Sequence, residues 1–363
     1  ISGGGVAGLS LEGGELDAGS VLFLDRSFED VRLRFDVEGS DINAGFEAED
    51  IDGSLRFTMS DSGTNSLSAE FDRLVLGDPV STGVDMDSDP SELPALHLYV
   101  RSFSYAGVEL GETRIEAYPT ASGFHFEKVD ASSEQISVQA SGDWSLNEQG
   151  QRSDFKINMA SESLGDFLQS LDISSSMEGG QTLVDFNAWW PGSPATFALS
   201  RLNGQIVFSV VDGNITNASA GTGRLLGLLS IQALPKRLAL DFRDVFDSGF
   251  SFDEASGTFE MENGSAWTDN VLLESSAADI SISGHTDLVA RQYDQLLTIR
   301  PGLGNTLPIL GALAAGPGGA AVGLALQGLL HDELAEATRV IYSIKGDWDD
   351  PQFEPVEVDR TGE

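Results

Sequence analysis

Asp85-x-Asp87-x-Asp89 sets three carboxylates at the spacing with which a calcium loop begins, since oxygen ligands from alternate residues can converge on one hard cation. That loop requires Gly at its sixth position and Glu at its twelfth. Here these are Pro90 and Leu96, so the segment reads as a solvated acidic loop. Gly3-x-Gly5-x-x-Gly8 has the form of a dinucleotide fingerprint, but no strand precedes it and no helix follows, so it reads as a loop. The four histidines (His97, His125, His285 and His331) are scattered without metal-ligand spacing, and His97 and His125 occupy polar positions of alternating segments. Carboxylate pairs for acid–base hydrolysis can be drawn almost anywhere, Asp349-Asp350 included, and with 58 acidic residues that abundance removes their diagnostic value. There is no Gly-x-Ser-x-Gly elbow, Walker loop or His-Glu-x-x-His, and no cysteine for thiol chemistry, disulfides or thiolate metal sites. The tryptophans are better placed. Gly142-Asp143-Trp144 and Gly346-Asp347-Trp348 each end an alternating segment, and Trp189-Trp190-Pro191-Gly192 marks a strand end and turn. Strand-end packing explains them more simply than a carbohydrate platform does.

These residues need positioning elements, and the dominant signal along the chain is period two. Val31, Leu33, Phe35 and Val37 alternate with Arg32, Arg34, Asp36 and Glu38; Phe155, Ile157 and Met159 alternate with Lys156 and Asn158. The same parity groups Ile206, Phe208 and Val210, then Ile280 and Ile282, then Tyr342 and Ile344. Such strands have one apolar and one wet face. Turn signals at Asp52-Gly53, Asp212-Gly213 and Asn263-Gly264 fall at hairpin spacing. The chain is therefore expected to be mostly β, with roughly twenty antiparallel strands. Helical spacing is confined to Leu164, Phe167, Leu168 and Leu171, to an apolar run over 222–234, and to 301–330, which carries no charged residue. Few short helices cannot cover so many one-sided strands. Stacked at about 4.8 Å each, the strands would form a twisted trough of roughly 95 Å.

Net charge is 20 − 58 = −38, which excludes phosphate-neutralising contact with nucleic acid in the absence of a basic patch. No signal peptide is visible at Ile1, and the chain is expected to be the C-terminal piece of a longer protein.

A group of motifs then carries a family likeness. Gly223-Arg224-Leu225-Leu226-Gly227-Leu228-Leu229-Ser230 runs on to Pro235, followed by Leu240-Asp241-Phe242-Arg243-Asp244. Trp190-Pro191-Gly192-Ser193-Pro194-Ala195, Ile282-Ser283-Gly284-His285-Thr286-Asp287 and Gly346-Asp347-Trp348-Asp349-Asp350-Pro351 complete the set. Over about residues 140–351 the chain resembles the C-terminal region of the YhdP-like branch of the AsmA-like, bridge-like lipid transfer family. His285 stands where that family is expected to carry Arg. The resemblance implies a non-enzymatic protein of the Gram-negative periplasm, membrane-associated, with an inner-membrane anchor in an N-terminal part. Its β-groove would shield phospholipid acyl chains between the inner and outer membranes. No cofactor, metal or nucleic acid is implied, and any envelope protein partner is unknown. Under that reading the groove lining is Val31, Leu33, Phe35, Val37, Phe155, Ile157, Met159, Ile206, Phe208, Val210, Ile280, Ile282, Tyr342 and Ile344.

The expected organisation is a groove over 1–300, with short helices near 163–171 and 222–234. An apolar helical segment follows over 301–336, then a last strand over 337–351 and an acidic tail over 352–363. The helical segment is too short and too broken by Pro308 and Gly316-Pro317 to span a bilayer, so Leu307, Leu310, Leu313, Val322, Leu326, Leu329 and Leu330 are expected to contact one leaflet, suspected to be the outer membrane's. Two other classes stay open: a non-transporting periplasmic β scaffold or binding module built as closed sandwiches, and a glycosidase-like β enzyme.

Overall fold

The structure, a computed structural model, describes residues 12–23, 26–60, 63–77, 89–105, 107–170, 177–216, 250–301, 339–348 and 350–356. The helix expected over 222–234 lies outside these residues. So do the proposed membrane-contact residues Leu307, Leu310, Leu313, Val322, Leu326, Leu329 and Leu330, and the last part of the acidic tail.

The described residues form one mostly antiparallel, open sheet of eighteen strands and a single short α-helix. They divide into two compact units. Unit 1 comprises residues 1–159 and 187–198; unit 2 comprises 160–186 and 199–363. Unit 1 is built on β1 (Gly13–Phe23), β2 (Arg26–Glu38), β3 (Asp41–Glu47), β4 (Ile51–Thr58), β5 (Ser66–Leu76), β6 (Ala95–Tyr105), β7 (Val108–Thr120), β8 (Gly123–Ser132), β9 (Ser137–Asn147) and most of β10 (Gly150–Ser161). Unit 2 holds α1 (Leu164–Ser170), most of β11 (Met177–Pro191), β12 (Asn203–Ile215), β13 (Phe250–Glu262), β14 (Ser265–Glu274), β15 (Ala278–Asp287), β16 (Gln292–Pro301), β17 (Val340–Asp347) and β18 (Gln352–Pro355).

Strands pair in chain order from β1 to β9 in unit 1 and from β12 to β18 in unit 2. One pair departs from the antiparallel expectation: β5 and β6 run parallel, with Ser66 opposite Ala95 and Val75 opposite Ser104. A parallel neighbour requires the chain to return to the edge it started from, and residues 77–94 are long enough to do so. That return ends in a 3-10 turn, Pro90–Glu92, capped by Asp89, whose carboxylate accepts from the Ser91 amide at 2.9 Å and its hydroxyl at 2.7 Å. These two bonds, the hydroxyl's first, hold the Asp89 carboxyl below its usual range. The third carboxylate of the candidate calcium loop is thus a turn cap; Asp85 and Asp87 lie outside the described residues.

Of the three turn signals, only Asn263-Gly264 is a turn. Both residues have positive φ (48° and 81°), as a tight hairpin between β13 and β14 demands. Gly53 and Gly213 lie inside β4 and β12 instead. Each faces a phenylalanine on the next strand, Phe71 and Phe252, and a Cβ at either glycine would drive into that ring. The glycines serve ring packing rather than chain reversal.

Candidate functional site

Register converts the period-two pattern into transverse rows. In unit 1, Phe35, Ala44, Leu55, Ala69, Leu98, Ile115 and Val129 are successive cross-strand partners from β2 to β8. Every one is only half-buried. Beside this row, Val37, Ile42, Phe57, Leu67 and Leu96 repeat the arrangement and are also half-buried. One margin of the face is closed by Phe28, Val31, Ile51, Phe71, Leu74 and Val100, which form a buried cluster. A corner over β7–β9 is closed as well: Leu93 and Leu96 pack on Ala117, Phe124 and Trp144. Between these closures no described element of unit 1 is an α-helix.

An aromatic chain crosses the same unit. Phe126 meets Phe155 at 5.3 Å, Phe155 stacks on Trp190 at 5.5 Å and 10°, and Trp190 meets Phe197 edge-on at 5.3 Å. Gly142 makes the bridge over β9 possible. A Cβ there would collide with the Asp154 carbonyl and come within 2.6 Å of the Phe155 ring. Trp190 and Trp144 are buried, with Nε1 donating to the Ser193 carbonyl and to Gln151 Oε1. Both tryptophans therefore pack strand ends and offer no exposed platform.

In unit 2 the corresponding row is Val210, Ala255, Leu273, Ile280, Ile299 and Val340. All but Val340 are buried, Ile299 to 1% exposure, within one continuous cluster that also holds Tyr342 and Ile344. Leu164 and Leu168 of α1 pack against it. Of the residues assigned to a groove lining, Val31, Val210, Ile280, Tyr342 and Ile344 are thus buried among protein side chains. Leu33, Phe35, Val37, Phe155, Ile157, Met159, Ile206, Phe208 and Ile282 keep accessible surface. Ala44, Leu55, Ala69, Leu98 and Ile115 complete the unit 1 row; small residues blur the alternation of β3, and register alone brings them into line.

The opposite face is charged. Arg32 bonds Asp17 at 3.0 Å and Glu47 at 3.3 Å, and Arg34 bonds Glu15 at 3.1 Å and Glu47 at 3.0 Å. The Asp17 hydrogen bond, with its charge, raises the Arg32 pKa above the ordinary arginine value. These pairs are exposed and contribute little stability. His97 pairs with Glu116, and His125 with Asp143 at 2.7 Å, so each is committed to a cross-strand carboxylate. His285 meets the ring of its cross-strand partner Trp267 at 4.3 Å, tilted by 33°. Among the described residues no group of His, Asp and Glu is arranged to hold a metal ion. No described helix is long and apolar enough to cross a membrane.

These features define a class: mostly β proteins built on a one-sided sheet, with an apolar face that the described residues leave partly uncovered. The chain belongs to the YhdP family, whose model, described as YhdP protein, matches residues 8–353. The intermembrane phospholipid transporter YhdP of Escherichia coli (strain K12) is 29% identical over 220 residues, covering 60% of this chain and 17% of that protein. The chain thus spans less than a fifth of the length of that relative. No solved structure matches.

Proposed function

We propose that this chain is a segment of a periplasmic phospholipid carrier, and that its apolar face shields acyl chains while head groups stay in water. The observation that carries the reading is the half-buried row Phe35 to Val129, an apolar strip across β2–β8 that is neither sealed nor polar. The relative's printed role, phospholipid transport between membranes, supplies the cargo. The energetics agree. Each methylene kept from water is worth about 0.8 kcal/mol, so a chain of about sixteen carbons gains roughly 12 kcal/mol from such a surface. Movement along it needs no bond-making, and the reading is non-enzymatic. The cell-envelope location, with contact to membrane at one end, belongs to the same proposal.

Photocrosslinking tests it. A photoreactive residue at Leu33, Ile157, Phe208 or Ile282 labels phospholipid in the purified chain, whereas one at Arg34, Lys156, Ser209 or Ser281 does not, because neighbours in a strand face opposite sides. Equal labelling of the two sets, or no copurifying lipid by mass spectrometry, favours the non-transporting scaffold.

A further inference from the structure

The wet faces of the two units differ in how their charges are met. In unit 1 acids have arginine partners: Arg32 and Arg34 serve Glu15, Asp17 and Glu47, Arg101 pairs with Asp72 at 2.8 Å, and Arg114 pairs with Glu112. In unit 2 the wet side carries an uncharged band. Ser209, Ser256, Leu272, Ser281, Thr298 and Ile341 are successive cross-strand partners from β12 to β17, and none is buried. Beside them Val207 faces Thr258, and Leu296 faces Ser283 and Ser343. Six strands spaced at about 4.8 Å make the band about 24 Å wide.

Apolar side chains stand out on this face. Leu183 on β11 is 63% exposed and Trp267 on β14 is 54% exposed, and Leu296, Val207 and Val211 are exposed as well. A depression of about 430 Å³ opens between Leu183, Val207, Ser256, Thr258 and Asn270. Acids bound the band on both margins. Along β13 the wet positions read Glu254, Ser256, Thr258 and Glu260, with Trp267 opposite Glu260 and Glu274 directly opposite Glu254. Like charges so placed repel. Glu254, Glu260 and Glu274 make no ion pair among the described residues. Ser209 donates to Glu254 at 3.4 Å and Gln205 to Glu260 at 2.5 Å, and neither brings a positive charge.

We infer that this face of unit 2 docks a basic amphipathic polypeptide segment. Its aliphatic side chains lie on the uncharged band with Trp267 as anchor, and its lysines or arginines meet Glu254, Glu274 and Glu260. Charge selects that occupant. An anionic bilayer or a nucleic acid would meet the carboxylates, and so would a second copy of a chain of net charge −38. A uniformly basic partner would leave the exposed aliphatic groups and the indole in water. A segment of both characters removes both costs, and an exposed tryptophan is a residue type on which binding energy concentrates. The inference rests on the wet side of the strands and is independent of acyl-chain binding on the other.

Three labelled synthetic peptides of equal length decide it, titrated with the chain by fluorescence anisotropy. One alternates leucine and lysine, one serine and lysine, and one leucine and glutamate. The leucine–lysine peptide should bind saturably, at least tenfold tighter than the serine–lysine peptide, and the leucine–glutamate peptide should not bind. Trp267→Ser, and Glu254→Gln together with Glu274→Gln, should each weaken binding at least tenfold. Glu38→Gln together with Glu70→Gln removes the same charge from unit 1 and should change it less than about twofold. Equal affinity for the serine–lysine peptide, or equal affinity in every variant with unchanged circular dichroism, would reduce the attraction to net charge and overturn the docking face. Dimers in sedimentation, or flotation with phosphatidylcholine vesicles, would also overturn it if Trp267→Ser abolished them, by giving the face to a second copy or to a bilayer.

Discussion

Two transverse rows of the sheet, built from the same alternation, end in different states. In unit 1 the row from Phe35 to Val129 stays half-buried along its whole length. In unit 2 the row from Val210 to Ile299 is buried, and α1 lays Leu164 and Leu168 against its cluster. Strand chemistry does not separate them, since both alternate apolar and polar residues. What differs, among the described residues, is whether a further element packs on the row within its own unit. A covered row is a core and contributes stability. An uncovered row leaves apolar surface in water, a standing cost that a bound acyl chain would remove.

The sharpest way to break this comparison is truncation. Ile299→Ala should lower the stability of the unfolding transition by about 3 kcal/mol in urea, because a sealed row cannot collapse around the lost methyls. Leu55→Ala in the open row should cost about 1 kcal/mol or less, since much of that side chain already meets solvent. Equal costs would mean that both rows are sealed. Glycine replacement comes next. Gly142→Ala forces its new methyl into the Asp154 carbonyl and the Phe155 ring, and should cost about 2 kcal/mol as overpacking does. It should also weaken the near-ultraviolet circular dichroism from the Phe155–Trp190 stack. A parental spectrum would show that the aromatic chain does not depend on Gly142.

Function sharpens the contrast further. Ile157→Asp places a carboxylate where an acyl chain is proposed to lie, and should cut lipid loading at least tenfold, about 1.4 kcal/mol. Asn158→Asp, on the wet side of the same strand, should load lipid normally by mass spectrometry. Parental loading in a folded Ile157→Asp chain would rule that position out of the path.

The smallest effect concerns the corner of unit 1 that is closed. Asp89 is held below its usual carboxyl range, so the stabilisation it gives the 90–92 turn is complete above the ordinary carboxylate pKa and is lost as pH falls through the depressed one. The Trp144 indole resonance, under Leu93, should shift over that acid window in the parent and lose the transition in Asp89→Asn. A transition unchanged in Asp89→Asn would assign it to another group.

Strong alternation, as in Val31–Glu38, was readable because each residue type states its own side. β3 was not, because Ala44 and Gly45 carry too little hydrophobic contrast to mark a face. Asp52-Gly53 and Asp212-Gly213 misled for a related reason. A glycine that makes room for a ring and a glycine that reverses the chain look alike until the neighbouring strand is in place. The histidines' cross-strand partners Glu116 and Asp143 were equally out of reach, being 19 and 18 residues away.

Composition and period two by themselves determined that the chain is mostly β, that each strand has an apolar and a charged side, and that no thiol chemistry is possible, for these follow from residue type and neighbour spacing. Tertiary structure alone decided that β5 meets β6 in parallel, that Leu55 falls in line with Phe35 and Leu98, and that Ile299 is sealed while Leu55 is not. Burial is a property of what lies opposite a side chain, and which segments come to lie opposite one another is set by register and coverage, on which local sequence is silent.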